Sequence, residues 1–302
     1  MSSTCSYKLQ TVWPNVILMS LYHYFAVLGL YYILSLNLRW QTFLFLLLLE
    51  QVGVLGTTTG AHRLWSHKSY KAKLPLRIIL CLFQTIAFQN SIFEWCRDHR
   101  AHHKFTDTDA DPHNINKGFF FAHMGWLMVR KHPDVIRLGK TVDMSDLEAD
   151  SVVRFQKKFY GILAPVMCFL VPTVVPWYLW NENLYVAFCT AGMFRYVLSL
   201  HFTWMVNSVA HTWGTRPYDR SIKASENKLV SSLTWGEGWH NYHHVFPWDY
   251  KAAELGTVDN WSVVFIEIMA KIGWAYNLRT VSAGMVQGRR EKTGTDFDSS
   301  HW

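Results

Sequence analysis

Four long apolar stretches almost free of charge constrain this chain more than any other feature. Residues 9–38 contain no Asp, Glu, Lys or Arg, residues 40–61 only Glu50, residues 159–181 none, and residues 184–210 only Arg195. Each reaches the ~20 residues that an α-helix needs to cross a bilayer. A soluble core rarely needs four such runs, so the chain reads as an all-α integral membrane protein. The linkers 37–39 and 181–183 are too short for anything but a reversal, so the expected spans pair as two hairpins, about 11–36 with 40–60 and 159–180 with 184–206. Pro165, Pro172 and Pro176 should kink the third span, which membrane helices tolerate.

Charge placement supplies an orientation. The formal net charge is +7, and residues 62–158 hold sixteen Lys and Arg against ten Asp and Glu. By the positive-inside tendency this segment faces the cytosol and the tiny linkers face the lumen. Segment 211–284 then completes a cytosolic cap, and 285–302, with its RREKTG run, reads as a loosely ordered polar tail within one 302-residue domain. The basic residues suit either anionic lipid or a phosphorylated head group. No cleavable signal peptide is expected, because a basic start, short apolar stretch and cleavage site are missing. The five cysteines (Cys5, Cys81, Cys96, Cys168, Cys189) are odd in number and scattered, which fits a reducing compartment rather than a disulfide framework.

Nine of the fifteen histidines fall in four tight groups. HRLWSH gives His62 and His67, HRAHH gives His99, His102 and His103, NSVAH gives Asn207 and His211, and HNYHH gives His240, His243 and His244. Residues at i, i+3 and i+4 share a helix face, so each H-x-x-H-H helix should present three imidazoles to a common point. Imidazole suits first-row metals, and nine histidines with an amide exceed what one ion accepts, so two ions are expected. Asn207, four residues before His211, is placed to hold a metal-bound water. Structural zinc sites usually recruit cysteine, and only Cys96 lies near a box. A histidine-rich iron pair beside apolar helices points to oxygen chemistry on an unreactive lipid C–H bond.

Carboxylates Asp98, Asp107, Asp109, Asp111 and Glu237 can orient imidazoles from behind, though each equally suits a solvated or helix-capping role. Six histidines stand alone. His23, His132 and His301 read as ordinary surface or core residues, and the same reading extends less firmly to His113, His123 and His201. Segment 76–93 is long enough to span, but it carries Arg77, Gln84, Gln89 and Asn90. Were it to cross, His62 and His67 would be separated by a bilayer from His99, so it is expected to lie in the interface.

The boxes HRLWSH, DHRAHH and GEGWHNYHH, in this order between paired apolar helices, resemble the membrane acyl-CoA desaturases. The likeness runs from about Tyr22 to Gly288. ADPHN, GFFFAHMGWLMVRKHPDV, RPYDRSIK and FPWDYKAAELG are similar to the stearoyl-CoA desaturase branch of insects, which includes moth enzymes of pheromone-precursor synthesis. The resemblance implies four transmembrane helices and a cytosolic cap in the endoplasmic reticulum membrane, with both termini and the active site cytosolic. It implies two iron ions on the nine histidines, Asn207 acting through water, dioxygen as oxidant, and electrons from NADH through cytochrome b5 and its reductase. The implied partners are fatty acyl-CoA, these donors and membrane lipid, with no nucleic acid.

The resemblance also implies roles for individual residues. Gln89, Trp95, Thr203 and Trp204 match the walls where the acyl tunnel bends, and Glu50 and Val54 fall toward its closed end. Asn90, Arg97, Asp98, Arg130 and Lys131 match positions that hold the CoA moiety, where paired donors suit phosphate. Three departures stand out: a short segment before the first span, the charged Glu50 where uncharged residues are usual, and His201 beside the bend. An intramembrane carboxylate is costly, so Glu50 is expected either to alter chain-length or positional preference, or simply to pair with Arg195 or snorkel. Rival readings are a di-iron fatty acid or sterol hydroxylase and, in another class, a membrane metal transporter or sensor. Transport would put the ligands near the bilayer midplane, whereas these lie at helix ends and in polar segments.

Overall fold

A computed structural model describes residues 7–254, 256 and 260–294; Cys5, His301 and the rest of the terminal tail lie outside the described residues. The chain is mostly helical. Helix α1 (Trp13–Leu34) enters with Pro14 in its first turn, where a missing N–H is harmless. Helix α2 (Trp40–Leu55) runs on without a break as a π-helix, Gly56–Ser66. Next come α3 (Leu74–Ala87) and α4 (Ile92–Lys104), bent by 82° from one another. A short α5 (Phe119–His123) leads through the cap to α6 (Ser151–Trp180), which contains a π-segment, Val166–Leu170, directly after Pro165. Helical residues 184–211 form α7, and α8 (His240–Val245), α9 (Trp261–Lys271) and α10 (Ala283–Thr293) complete the chain.

Among the described residues three helices are long and apolar enough to cross a membrane, Trp13–Leu34, Trp40–Ser66 and Ser151–Trp180, or four if the bent pair Leu74–Ala87 and Ile92–Lys104 counts as one span. The fourth expected span falls in α7, which is helical throughout but is not among those three. Surface chemistry is inverted relative to a soluble protein. Leu18, Leu21, Val27 and Leu34 of α1 and Leu44 and Leu48 of α2 point outward, while Glu50, Thr57, Thr58, His62 and Arg195 are buried. Such a distribution is stable where the surroundings are lipid and polar groups must find partners inside. Close helix crossings use glycine, as membrane helices often do. A Cβ on Gly29 would fall 2.1 Å from the Cys189 carbonyl oxygen, and one on Gly56 2.2 Å from the Gln84 nitrogen.

Three expectations change. The helix foreseen over 76–93 ends at Ala87, because Phe88 and Asn90 adopt positive φ (49° and 68°) and the Gln84 amide donates to the Asn90 carbonyl at 2.7 Å. Ser91 then caps α4 by accepting from the Glu94 N–H, so the break is a built corner. The chain is not wholly helical, since Lys71–Ala72 pairs antiparallel with Ala275–Tyr276. Lastly, the first part of the foreseen loose tail is helix α10, held by Thr293 donating to the Tyr218 carbonyl at 2.7 Å and by ion pairs Arg289–Asp219 and Arg290–Glu254.

The cap's apolar core packs Leu64, Trp65 and Tyr70 from the segment after α2 against Leu76 and Leu80 of α3, Ile92 of α4 and Ile266 of α9. This packing seats the end of α2 against α3 and α4, where the histidines lie.

Candidate metal centre

The π-helix at the end of α2 explains the spacing of the first box. A π-turn bonds residues five apart, and the His67 N–H donates to the His62 carbonyl at 3.1 Å. That wider turn brings the two rings to a centroid separation of 4.9 Å. In α4 and α8 the triplets do not aim at one point, contrary to expectation. At 3.6 residues per turn, i+4 lies about 40° to one side of i and i+3 about 60° to the other. Each helix accordingly sends its i, i+4 pair to one group and its i+3 residue to the other.

Two clusters result. His62, His67, His99, His103 and His243 form one, and His102, His211, His240 and His244 the other, with ligand atoms in each within 4.8 Å of one another. All nine rings turn Nε2 inward. Nε2–Nε2 separations are 2.8 Å for His62–His243 and His67–His99, and 3.0 Å for His103–His243. In the second cluster they are 3.0 Å for His211–His240, 3.1 Å for His240–His244 and 3.3 Å for His102–His244. Neighbouring ligands each about 2.1 Å from a first-row ion stand about 3.0 Å apart. The spacing and the donor set therefore fit one ion per cluster.

Carboxylates face the outward nitrogens of three rings, and Asp111 is hydrogen-bonded to His102. Glu237 Oε2 lies 2.7 Å from His62 Nδ1, Asp111 Oδ1 2.8 Å from His102 Nδ1, and Asp107 Oδ1 3.7 Å from His211 Nδ1. Such partners fix ring tautomer and orientation in metal sites. Glu237 also accepts from buried Arg63 at 2.9 Å. Burial works against the Asp111 carboxylate, yet facing His102 holds it down to about 2. Burial, reinforced by neighbouring imidazoles, drives His240, His243 and His244 well below the usual histidine range, leaving them in the neutral form that binds metal. Two foreseen carboxylates turn elsewhere: Asp98 pairs with Arg97 and Lys131, and Asp109 with Lys117. The Cys96 thiol donates to the Ala61 carbonyl at 3.3 Å and belongs to neither cluster. His113 lies near His102 and Asp111, but Asp111 there already serves the outward nitrogen of His102.

Two cavities meet beside the clusters. The narrower, about 60 Å³, is lined by Val54, Thr57, Thr58, Ser199 and Phe202, and the wider, about 250 Å³, by Tyr22, Gln89, Asn90, Asp98 and Trp204. Trp95, His99, Thr203 and Asn207 line both. Trp95 stacks on His99 at 4.8 Å, and the Gln89 amide donates to the Thr203 hydroxyl at 2.9 Å, tying α4's approach to α7 across the junction. Arg97 and Lys131 reach the wider cavity only through their shared partner Asp98. Arg130 lines a separate small depression with Lys131. Glu50 lines neither cavity; it is buried one turn from Val54, near Ser199 and Arg195. It makes no contact ion pair with Arg195, whose guanidinium donates to the carbonyls of Ala191, Ile86 and Cys168. Sequence reasoning missed Thr57, Thr58, Ser199 and Phe202, since nothing marks a small or apolar helical residue as facing a cavity.

The fatty acid desaturase family model matches residues 38–254. The chain is 56% identical over 296 residues to an acyl-CoA Delta-9 desaturase of Acheta domesticus, covering 98% of this chain and 81% of the relative. It is 53% identical to stearoyl-CoA desaturase 5 of Bos taurus, covering 95% and 85% of the two chains. To an acyl-CoA Delta(11) desaturase of Choristoneura rosaceana it is 47% identical, covering 97% and 87%.

Proposed function

Because the chain belongs to the fatty acid desaturase family, we propose that its two histidine clusters bind a pair of iron ions and that it uses dioxygen to put a double bond into a fatty acyl-CoA. It is an oxidoreductase of fatty acyl-CoA desaturation. The observation that carries the reading is the meeting of the two cavities beside both clusters, in a chain about half identical to acyl-CoA desaturases from end to end. Bound iron supplies the dioxygen-activating chemistry that an unactivated C–H bond requires.

The protein's own groups do the rest. Nine imidazoles fix the positions of the two ions, with Glu237, Asp111 and Asp107 behind three of the rings. The acyl chain enters through the wider cavity, passes Trp95 and Thr203 at the junction, and ends in the narrower cavity beyond Val54. Glu50, one turn past Val54, backs the closed end from behind without lining it. Asn207 holds water beside the second cluster. Asn90 and Asp98 at the wider cavity receive the head group, with Arg97 and Lys131 behind Asp98 and Arg130 in the adjoining depression it shares with Lys131. Taking two hydrogens from adjacent carbons while reducing one dioxygen to two waters needs two further electrons and two protons. NADH supplies the electrons through cytochrome b5 reductase and cytochrome b5.

The topology consistent with this reading has four spans, with α7 as the fourth, α3 lying in the interface, and the cap cytosolic at the endoplasmic reticulum. Histidines from either side of α3 share one cluster, which supports that placement. The likeness to acyl-CoA desaturases along nearly the whole chain does not favour a hydroxylase, nor do clusters at helix ends favour transport. Expression in yeast lacking its own acyl-CoA desaturase, with double bonds mapped by gas chromatography–mass spectrometry, tests the function. A new monounsaturated acid is expected; a hydroxylated acid instead would overturn the reading.

A further inference from the structure

Three histidines outside the metal clusters are joined to one another. His23 of α1 and His201 of α7 approach through Nε2 at 3.1 Å, and His201 Nδ1 meets His123 Nε2 of α5 at 2.9 Å. His123 Nδ1 lies 2.8 Å from Ser208 Oγ, and at the far end His23 Nδ1 lies 2.7 Å from the Met19 carbonyl. Each ring uses each nitrogen once, head to tail, so no shared point exists where an ion could sit.

Counting protons gives the chain a direction. The Met19 carbonyl only accepts, so His23 must donate there through Nδ1. With neutral rings, His201 then donates to His23 and His123 to His201, which leaves His123 Nδ1 as an acceptor beside Ser208. Three imidazoles thus fill the links from Met19 to His123, and the one Ser208 proton is shared between His123 and the Trp204 carbonyl. Replacing the middle ring orphans both neighbours, in surroundings where unpaired polar groups are costly.

The chain boxes in one residue. Trp204 is buried, and its ring meets His201 edge-on at 5.2 Å and His123 at 5.7 Å. Ser208, the terminus of the chain, also lies 2.9 Å from the Trp204 carbonyl. Trp204 lines the wider cavity next to Thr203. We infer that His23, His201 and His123 are positioning residues that hold the Trp204 wall and thereby set which carbons of the acyl chain lie at the metal clusters. This rests on the desaturase reading above. With the backing removed, Trp204 can tilt away from the cavity, and the acyl chain gains slack to slip by a carbon.

The test expresses wild type, H201L, H23L, H123L and W204F in desaturase-deficient yeast and measures the ratio of double-bond positions at matched protein level and iron content. The expected result is one dominant position in wild type and roughly a tenfold rise in the minor positions in H201L. H23L and H123L each break one ring-to-ring link where H201L breaks two, and shift the ratio less in the same sense; they carry the test should H201L fail to accumulate. The H201L/W204F double variant should shift no further than W204F alone, because both act through one wall. An unchanged positional ratio in the variants, even with lower total activity, overturns the inference. A wild type that makes no double bond at all overturns the reading beneath it.

Discussion

Two sets of histidines in this molecule show how one side chain serves two purposes. Nine rings converge, all Nε2 inward with separations near 3 Å, while His23, His201 and His123 are strung end to end through both nitrogens. Convergent nitrogens leave a shared point with donors on every side. A string leaves none, because each ring nitrogen is taken up by a separate neighbour. The role of a buried histidine is therefore told by which nitrogens meet, and the short distance between rings alone does not distinguish ligand from strut.

Substitutions can break or sharpen that contrast. The largest effect is expected at His243, whose Nε2 stands against both His62 and His103. H243A should remove desaturation and lower bound iron, measured by product analysis and by metal content of purified protein. Next come the carboxylates behind the rings. D111N and E237Q should lower metal affinity or activity by roughly 10- to 100-fold, with bound iron more easily taken by a chelator. H201L should leave bound iron at the wild-type level while redistributing double-bond positions, the opposite signature from H243A. The smallest effect is expected at Cys96. Burial pushes its thiol up to about 12 and it faces a carbonyl, so C96A should keep all bound iron and cost about 1 kcal/mol in thermal unfolding.

Much of the metal centre was legible because its histidines lie in short helical motifs, where spacing alone puts rings on one face. The division of each triplet between two clusters was not legible, since it depends on where the facing helix sits. Nor was the π-helix over Gly56–Ser66, whose wide turns rest on packing against α3 and α4. Among five suspected carboxylates, sequence proximity could not separate Asp111, Asp107 and Glu237, which face rings, from Asp98 and Asp109, which face cations. His23, His123 and His201 read as lone residues because 178 and 78 positions separate the rings that meet, and only the meeting of α1, α5 and α7 joins them. Helix α10 was read as loose tail because its anchors, Tyr218, Asp219 and Glu254, are distant in sequence.

The central claim is that two clusters hold two ions of the kind that activates dioxygen. Its most direct test is the metal content per chain of protein purified in detergent from iron-supplied cells, read together with desaturation by the same preparation. Two irons per chain, with activity lost as they are withdrawn and regained on their return, is the predicted result. One ion per chain, or two zinc ions in a preparation that is fully active, would contradict it.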